Sequence, residues 1–279
     1  MDDSIRVLDH GYVRLIETWG SDEVIIEAAR MSTQKGFQGW GPRWRCTLCL
    51  CLWRKNPDES WSLYDQNQKS CKQCDNSDDF LFVVKEEAGD EKLLAYLYKR
   101  KHMTPFEMAG AIFEIKAPIM VFREWHRHRT QSYNEMSARY IPLPNENYVP
   151  DRKDVMERSQ AAYDSKNKQA RSASDRVVTE GETLQWLHDL DSYYERGQRL
   201  YEEALQLGIP KELARLPVTV GRFSVMRASA NLRNWLQFLE LRTALQAQKE
   251  IRLYAESVCS VLELDFPRTM ALFGRSHGS

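Results

Sequence analysis

The clearest hydrophobic rhythm lies in the second half of the chain. Leu187, Leu190, Tyr194, Tyr201 and Leu205 recur at helical spacing, which marks one buried helix face. Gly208-Ile209-Pro210 ends that run, because Gly leaves the helical region and Pro lacks the N–H to continue it. Pro210 then starts a short helix carrying Arg215. Leu232, Trp235, Leu236 and Leu239 repeat the apolar face behind Asn231. Asn231 is a good N-cap, and the helix is expected to end near Arg242. A last long helix is predicted over about 246–264. Upstream, Asp90 followed by Leu93, Leu94 and Leu97 predicts a helix capped by Asp90, and Thr104-Pro105 repeats the signal of a cap followed by proline. Residues 111–116 alternate like a strand, and Ala117-Pro118 opens a helix expected from 118 to about 128. Strands are expected near 139–149 and 219–229, with an extended piece at 5–16 and a helix at 22–31 before them. Helices interleaved with a few strands and no internal repeat indicate an α+β fold, a small mixed or antiparallel sheet packed with helix layers.

Two stretches break the rhythm. Residues 33–89 are rich in Gly, Trp, Cys, Asn, Asp and Ser, show no sustained period and run into the acidic Glu86-Glu87-Ala88-Gly89-Asp90. A loop of that length inside a compact domain calls for a staple, so it reads as an insertion within a single domain spanning 1–279. Residues 151–180 are polar and rich in Ser, Lys and Arg, and read as a flexible excursion.

Composition narrows the function. The 39 Lys+Arg against 40 Asp+Glu leave a formal charge of -1, whereas a protein that wraps nucleic acid shows a basic excess. Any anion site must therefore be a local arginine cluster. Met1-Asp2-Asp3-Ser4 is not the start of a signal peptide, and no apolar run approaches the roughly 18 residues that span a bilayer. A cytoplasmic protein is expected.

The densest polar string is Arg127-His128-Arg129-Thr130-Gln131-Ser132-Tyr133-Asn134-Glu135-Met136-Ser137-Ala138-Arg139-Tyr140, directly behind the apolar Pro118-Ile119-Met120-Val121-Phe122. If the helix runs through it, successive residues step by about 100°, so Arg127 and Arg129 face different sides and suit two anionic ligands. Arg is the residue for two-pronged phosphate binding. Taken singly, the same residues could form a solvated turn with Glu135 and Arg139 paired at i,i+4; Arg215 and Arg242 could be surface charges, and His102 and His128 ordinary half-buried histidines. Cys259, among Val258, Val261 and Leu262, reads as a small core residue.

As one string, the pattern resembles the signature of the flavin-dependent thymidylate synthases. Ala28-Ala29-Arg30-Met31-Ser32, Gly89-Asp90, His102-Met103-Thr104-Pro105-Phe106-Glu107, Lys116-Ala117-Pro118-Ile119, Gly208-Ile209-Pro210-Lys211-Glu212-Leu213-Ala214-Arg215, Asn231-Leu232-Arg233 and Leu241-Arg242 follow in that family's order. The likeness covers roughly 8–32 and 89–265. It implies reductive methylation of dUMP to dTMP, with 5,10-methylenetetrahydrofolate giving the carbon and NADPH-reduced FAD the hydride, in a homotetramer with shared active sites. By the same resemblance Ser32, Thr104, Arg127, His128, Arg129, Asn134, Glu135, Asn231, Arg233 and Gln237 would contact FAD. Glu124, Arg127, Glu135, Ser137, Ala138, Arg139 and Arg215 would hold dUMP, and Arg242 would polarise the pyrimidine at N3 as the catalytic group. Glu124 stands where many relatives carry Gln, and Gln237 and Gln246 where they often carry His or Asn. The basic string holds no cysteine, so the thiolate attack of the other class of thymidylate synthase has no candidate here. Two other readings stay open, a related pyrimidine-nucleotide C5 methylase or hydroxymethylase with another base or one-carbon product, and a zinc-ribbon nucleic-acid-binding protein.

Five of the six cysteines crowd into the insertion. Cys46-x2-Cys49 and Cys71-x2-Cys74 lie 21 residues apart, a spacing that suits a structural zinc. Cys51 would be a spare or an alternative ligand.

Overall fold

The computed structural model describes residues 4–56, 58–64, 67–76, 78, 80–164 and 176–277. In chain order the first elements are β1 (Ile5–Val7), β2 (Gly11–Trp19), α1 (Asp22–Arg30), β3 (Arg43–Cys46), β4 (Leu52–Lys55), β5 (Trp61–Leu63), α2 (Lys72–Asp75), α3 (Phe80–Val83) and β6 (Val84–Glu87). There follow α4 (Asp90–Lys99), β7 (Gly110–Pro118), α5 (Ile119–Trp125), β8 (Ser132–Glu135), α6 (Arg152–Asp164) and α7 (Glu180–Gln206). The chain closes with α8 (Lys211–Ala214), β9 (Phe223–Asn231), α9 (Leu232–Arg242), α10 (Lys249–Asp265) and α11 (Pro267–His277). Short 3-10 turns occupy Met31–Thr33 and Thr104–Met108. No described helix is long and apolar enough to cross a membrane.

The fold is α+β, as expected. One sheet has the order β1-β2-β7-β9-β8 and the other β5-β4-β3-β6. The β1–β2 and β8–β9 pairs are antiparallel, as is every pair of the second sheet.

Chain contacts divide the molecule into two compact units. The first comprises Met1–Glu17, Ile112–Ala230 and Leu241–Val258. Its buried residues include Phe113, Ile115, Phe223 and Met226 of the sheet, Val121, Phe122 and Trp125 of α5, and Ile251, Tyr254 and Ala255 of α10. Gly11 is required where β2 passes α10: a Cβ there would stand 2.0 Å from Tyr254 Oη and 2.7 Å from the Lys116 carbonyl. That Oη donates to the same carbonyl at 2.8 Å. Buried Arg222 donates to Pro144 O at 2.7 Å and to Gln198 Oε1 at 2.9 Å, tying the 141–148 stretch to α7. Thr179 and Glu182 form a reciprocal capping box at the start of α7.

The second unit comprises Thr18–Ala111, Asn231–Glu240 and Cys259–Ser279. Trp235 and Phe238 of α9 are fully buried in it, and the Trp235 indole donates to Ala111 O at 3.0 Å. Asp22 of α1 accepts from Arg268 N at 2.8 Å, Thr269 N at 3.2 Å and Thr269 Oγ1 at 2.6 Å, so it caps α11 from a distant part of the chain. Residues 33–89 belong to this unit and carry the second sheet. Their root is Asp90, wholly buried, which pairs with Arg30 and accepts from Gln38 N at 2.7 Å.

Several sequence expectations need correction. Asp90 is the first residue of α4 and Gly89 its cap, because the carboxylate is drawn to Arg30. The helix after Pro118 stops at Trp125, three residues short. The strand expected at 139–149 is irregular apart from an isolated bridge from Asn147 to Arg222, and the strand here is β8. The 151–180 excursion contains α6, while 165–175 lie outside the described residues. Cys259 is half-buried rather than a core residue, and α11 was not anticipated, since Pro267 reads as a stop when it is the first residue of a new helix.

Candidate active site

In the first unit, β7 ends at Pro118 and turns into α5. No side chain caps α5; its first free N–H groups, on Ile119 and Met120, donate to Arg222 O and Val220 O, both at 2.9 Å. The helix is thereby fixed against the approach to β9. Beyond Trp125 the chain folds through tight turns, with Arg127 N donating to Glu124 O at 3.2 Å and His128 N to Trp125 O at 3.0 Å. The helical-step argument for Arg127 and Arg129 therefore does not apply, although both side chains are exposed. β8 follows, and Met136 N continues its pairing by donating to Val225 O at 2.8 Å.

This framework encloses a cavity of about 500 Å³ whose lining includes Arg123, His126, Glu135, Ser137, Ala138 and Arg215. Four of these were expected from the sequence: Glu135, Ser137, Ala138 and Arg215. Arg123 and His126 were not. Arg123 lies on α5 and His126 is its C-cap, three residues further and therefore on the same side of the turn. His126 packs beside Tyr133 with ring centres 4.8 Å apart, and its Nε2 meets Met226 Sδ at 3.2 Å. Ser224 was also not expected; it lines the cavity, and its buried hydroxyl has no hydrogen-bond partner among the described residues. One wall is held by Lys211, whose Nζ donates to Tyr140 O at 2.7 Å. Arg139 lies exposed outside the cavity lining and pairs with Glu212 at 3.5 Å, rather than with Glu135.

A second group forms around Arg242. Its Nε donates to His128 Nε2 at 2.8 Å, and its two terminal nitrogens donate to the Glu124 carboxylate at 2.7 Å and to Glu124 O at 3.2 Å. Burial, reinforced by the adjacent guanidinium, pushes the His128 pKa down to about 4. The ring is consequently neutral near pH 7 and accepts at Nε2. Tyr133 Oη donates to His128 O at 2.6 Å, and burial raises its pKa to about 12. Asn134 pairs with Arg227 in the β8–β9 register and is exposed.

In the second unit, Asn231 accepts from Asn234 N at 3.0 Å through Oδ1, as the cap read from sequence requires. Arg233 and Gln237 lie one turn apart on the exposed face of α9. Arg233 pairs with Glu107, in the same 3-10 turn that begins with exposed Thr104. Ser32 is exposed in the other 3-10 turn, behind α1.

A family model described as thymidylate synthase complementing protein matches residues 14–268. The flavin-dependent thymidylate synthase of Rickettsia prowazekii (strain Madrid E) is 32% identical over 283 residues, covering 97% of this chain and 78% of that protein. The one from Ehrlichia ruminantium (strain Gardel) is 33% identical over 96% of this chain and 72% of its own length. The enzyme of that name from Thermosipho africanus is 29% identical over 96% and 92%. Among solved structures, the UMP/dUMP methylase PolB from Streptomyces cacaoi bound with 5-Br dUMP matches with a TM-score of 0.66 at 25% identity, covering 97% of each chain.

Proposed function

This chain belongs to the thymidylate synthase complementing protein family, and from that membership we propose that it converts dUMP to dTMP by flavin-dependent methylation at C5. The observation that carries the residue roles is the cavity where Glu135, Ser137 and Ala138 meet Arg215 beside Arg123. Two guanidiniums next to short hydrogen-bonding groups suit the phosphate and sugar of one nucleotide. Arg127 and Arg139, exposed beyond the lining, are assigned to the outer reach of the nucleotide.

Arg242 is assigned to the pyrimidine edge at N3. Three of its five N–H groups are engaged by Glu124 and His128, and two remain for a ligand. A cation fixed in advance stabilises negative charge developing on the base, which makes C5 more nucleophilic without a covalent bond to the enzyme. Neutral His128 orients the guanidinium without competing for that charge. Glu124 is occupied by this ion pair.

The flavin is assigned to polar groups on both units. On the second unit these are Ser32, Thr104, Arg233, Gln237 and the Nδ2 of Asn231, whose Oδ1 is already used. On the first they are Arg127, Arg129 and Asn134, with His128 and Glu135 among them. Active sites are shared between subunits in the homotetramer proposed here, so the two sets need not come from one chain. Exposed Tyr140, Leu213 and Leu216 around the Lys211 wall support burial of that face in an assembly. FAD, reduced by NADPH, supplies the hydride, and 5,10-methylenetetrahydrofolate the carbon, in the cytoplasm. Any metal among the cysteines is structural in this reading and takes no part in the transfer.

Purified protein should be yellow, should oxidise NADPH faster with dUMP present, and should yield dTMP by mass spectrometry when the folate is added. A colourless preparation that does not take up FAD on reconstitution would refute the assignment.

A further inference from the structure

We propose that Cys46, Cys49, Cys71 and Cys74 bind one zinc ion as thiolates, and that this ion holds residues 43–87 folded. The sequence supplies two Cys-x2-Cys pairs, and the fold brings them to one point. Cys46 ends β3, Cys49 lies in the turn to β4, Cys71 precedes α2 and Cys74 lies within it. The sulfur separations are 3.7 Å for Cys46–Cys71, 3.6 Å for Cys71–Cys74 and 3.6 Å for Cys49–Cys74. Four sulfurs, each about 2.3 Å from a tetrahedral zinc, stand about 3.8 Å apart. The observed chain of separations is close to that value and far from the roughly 2.05 Å of a disulfide. Cys46, Cys49, Cys71 and Cys74 form no disulfide.

Cys51 is a fifth thiol of the cluster, within 4.8 Å of Cys46, Cys49 and Cys74, and one tetrahedral ion takes only four. Its Sγ is 2.9 Å from that of Cys49, too close for two ligands of one tetrahedral ion, which need about 3.8 Å. It also lies 3.5 Å from Cys74 Sγ and accepts the Trp53 indole N–H at 3.2 Å, so Cys49 and Cys51 compete for one ligand place, and the Cys46-x2-Cys49 spacing assigns that place to Cys49. The turn is built to present the first pair: Leu48 N donates to Cys46 Sγ at 3.4 Å, and Leu50 takes a left-handed φ of 62° to bring the chain back into β4. A donated N–H of this kind is what supports a metal-bound thiolate.

The packing shows why an ion is needed. The described core of this segment consists of Cys46, Cys51, Trp53, Cys74 and Phe80, with Trp44, Trp61 and a few others against it. Its strands are three or four residues long. A core of that size does not hold four short strands together unaided, and a structural metal supplies the missing free energy by binding only the folded form. Four protein sulfurs leave no open position, so the site is structural and not catalytic.

The test uses holoenzyme purified without chelator. Elemental analysis should find about one zinc per chain, and X-ray absorption should find about four sulfurs near 2.3 Å. Cys51→Ser should retain the zinc, whereas Cys46→Ser and Cys71→Ser should lose it. Stripping the metal with a chelator should speed proteolytic cleavage within 43–87 by about tenfold or more, and added zinc should reverse this. Less than about 0.1 zinc per chain, iron in its place, or nitrogen or oxygen in the ligand shell would overturn the proposal. So would loss of zinc from Cys51→Ser together with retention in Cys71→Ser.

Discussion

Changing His128 to Gln should make the stability of this protein less sensitive to acid. Burial first and the Arg242 guanidinium second push the imidazole from its usual 6.5 to about 4, so the folded chain keeps it neutral where the unfolded chain would protonate it. The linked stability is complete above pH 6.5, declines as pH falls below that, and is gone below about 4. The gap is about 2.5 pH units at about 1.4 kcal/mol each, or about 3 kcal/mol for a fully shielded ring. His128 is only half-buried, and solvent screening reduces this to about 1–2 kcal/mol. Gln keeps an acceptor for Arg242 Nε and removes the titration. Urea unfolding of both proteins at pH 7.5, 6.0 and 4.5 reads the difference directly, because every other titrating group is common to the two. The parent chain should lose about 1–2 kcal/mol more than His128→Gln between the extremes. Parallel losses, within about 0.3 kcal/mol, would refute the reasoning that the ring is held neutral.

Arg242→Ala should lower kcat for dTMP formation by about 10²- to 10³-fold, the cost of removing a preorganised charge stabiliser, with bound flavin absorbance unchanged. Arg215→Ala should act chiefly on the dUMP KM, raising it about 10- to 100-fold in steady-state assays, as expected for loss of a charge-assisted contact to phosphate. Gly11→Ala should destabilise the first unit by about 2–3 kcal/mol in thermal or urea unfolding, since the added methyl meets Tyr254 Oη and two backbone carbonyls.

Elements with a strong period were legible in the sequence: α7, α9 and β7 lie where their apolar spacing put them, and the Asn231 cap is as read. The failures share one cause, a local signal overruled by a distant partner. Asp90 has the residue type of a cap, yet half-buried Arg30 claims its carboxylate. Tyr148 and Val149 have strand-forming side chains, but the 141–148 stretch is fixed by Arg222, whose partners lie on α7 and at Pro144. Within the cavity the polar string contributed Glu135, Ser137 and Ala138, while Arg123 on α5 and His126 at its C-cap belong to a helix that reads as apolar, and their shared side is visible only in the fold. The engagement of Arg242 with Glu124 spans 118 residues, and no periodicity reports a contact of that kind.

The carboxylate of Asp22 meets its partners at Arg268 and Thr269 across 246 and 247 residues of chain. At about 5–20 residues per second of synthesis, roughly 12–50 seconds separate the emergence of α1 from that of the helix it caps. Through that interval the apolar side of α1 and the acidic group beside it wait without their native cover, and the unit that contains them cannot close until residues 267–277 have been made. Maturation of this unit is thus a late event in synthesis.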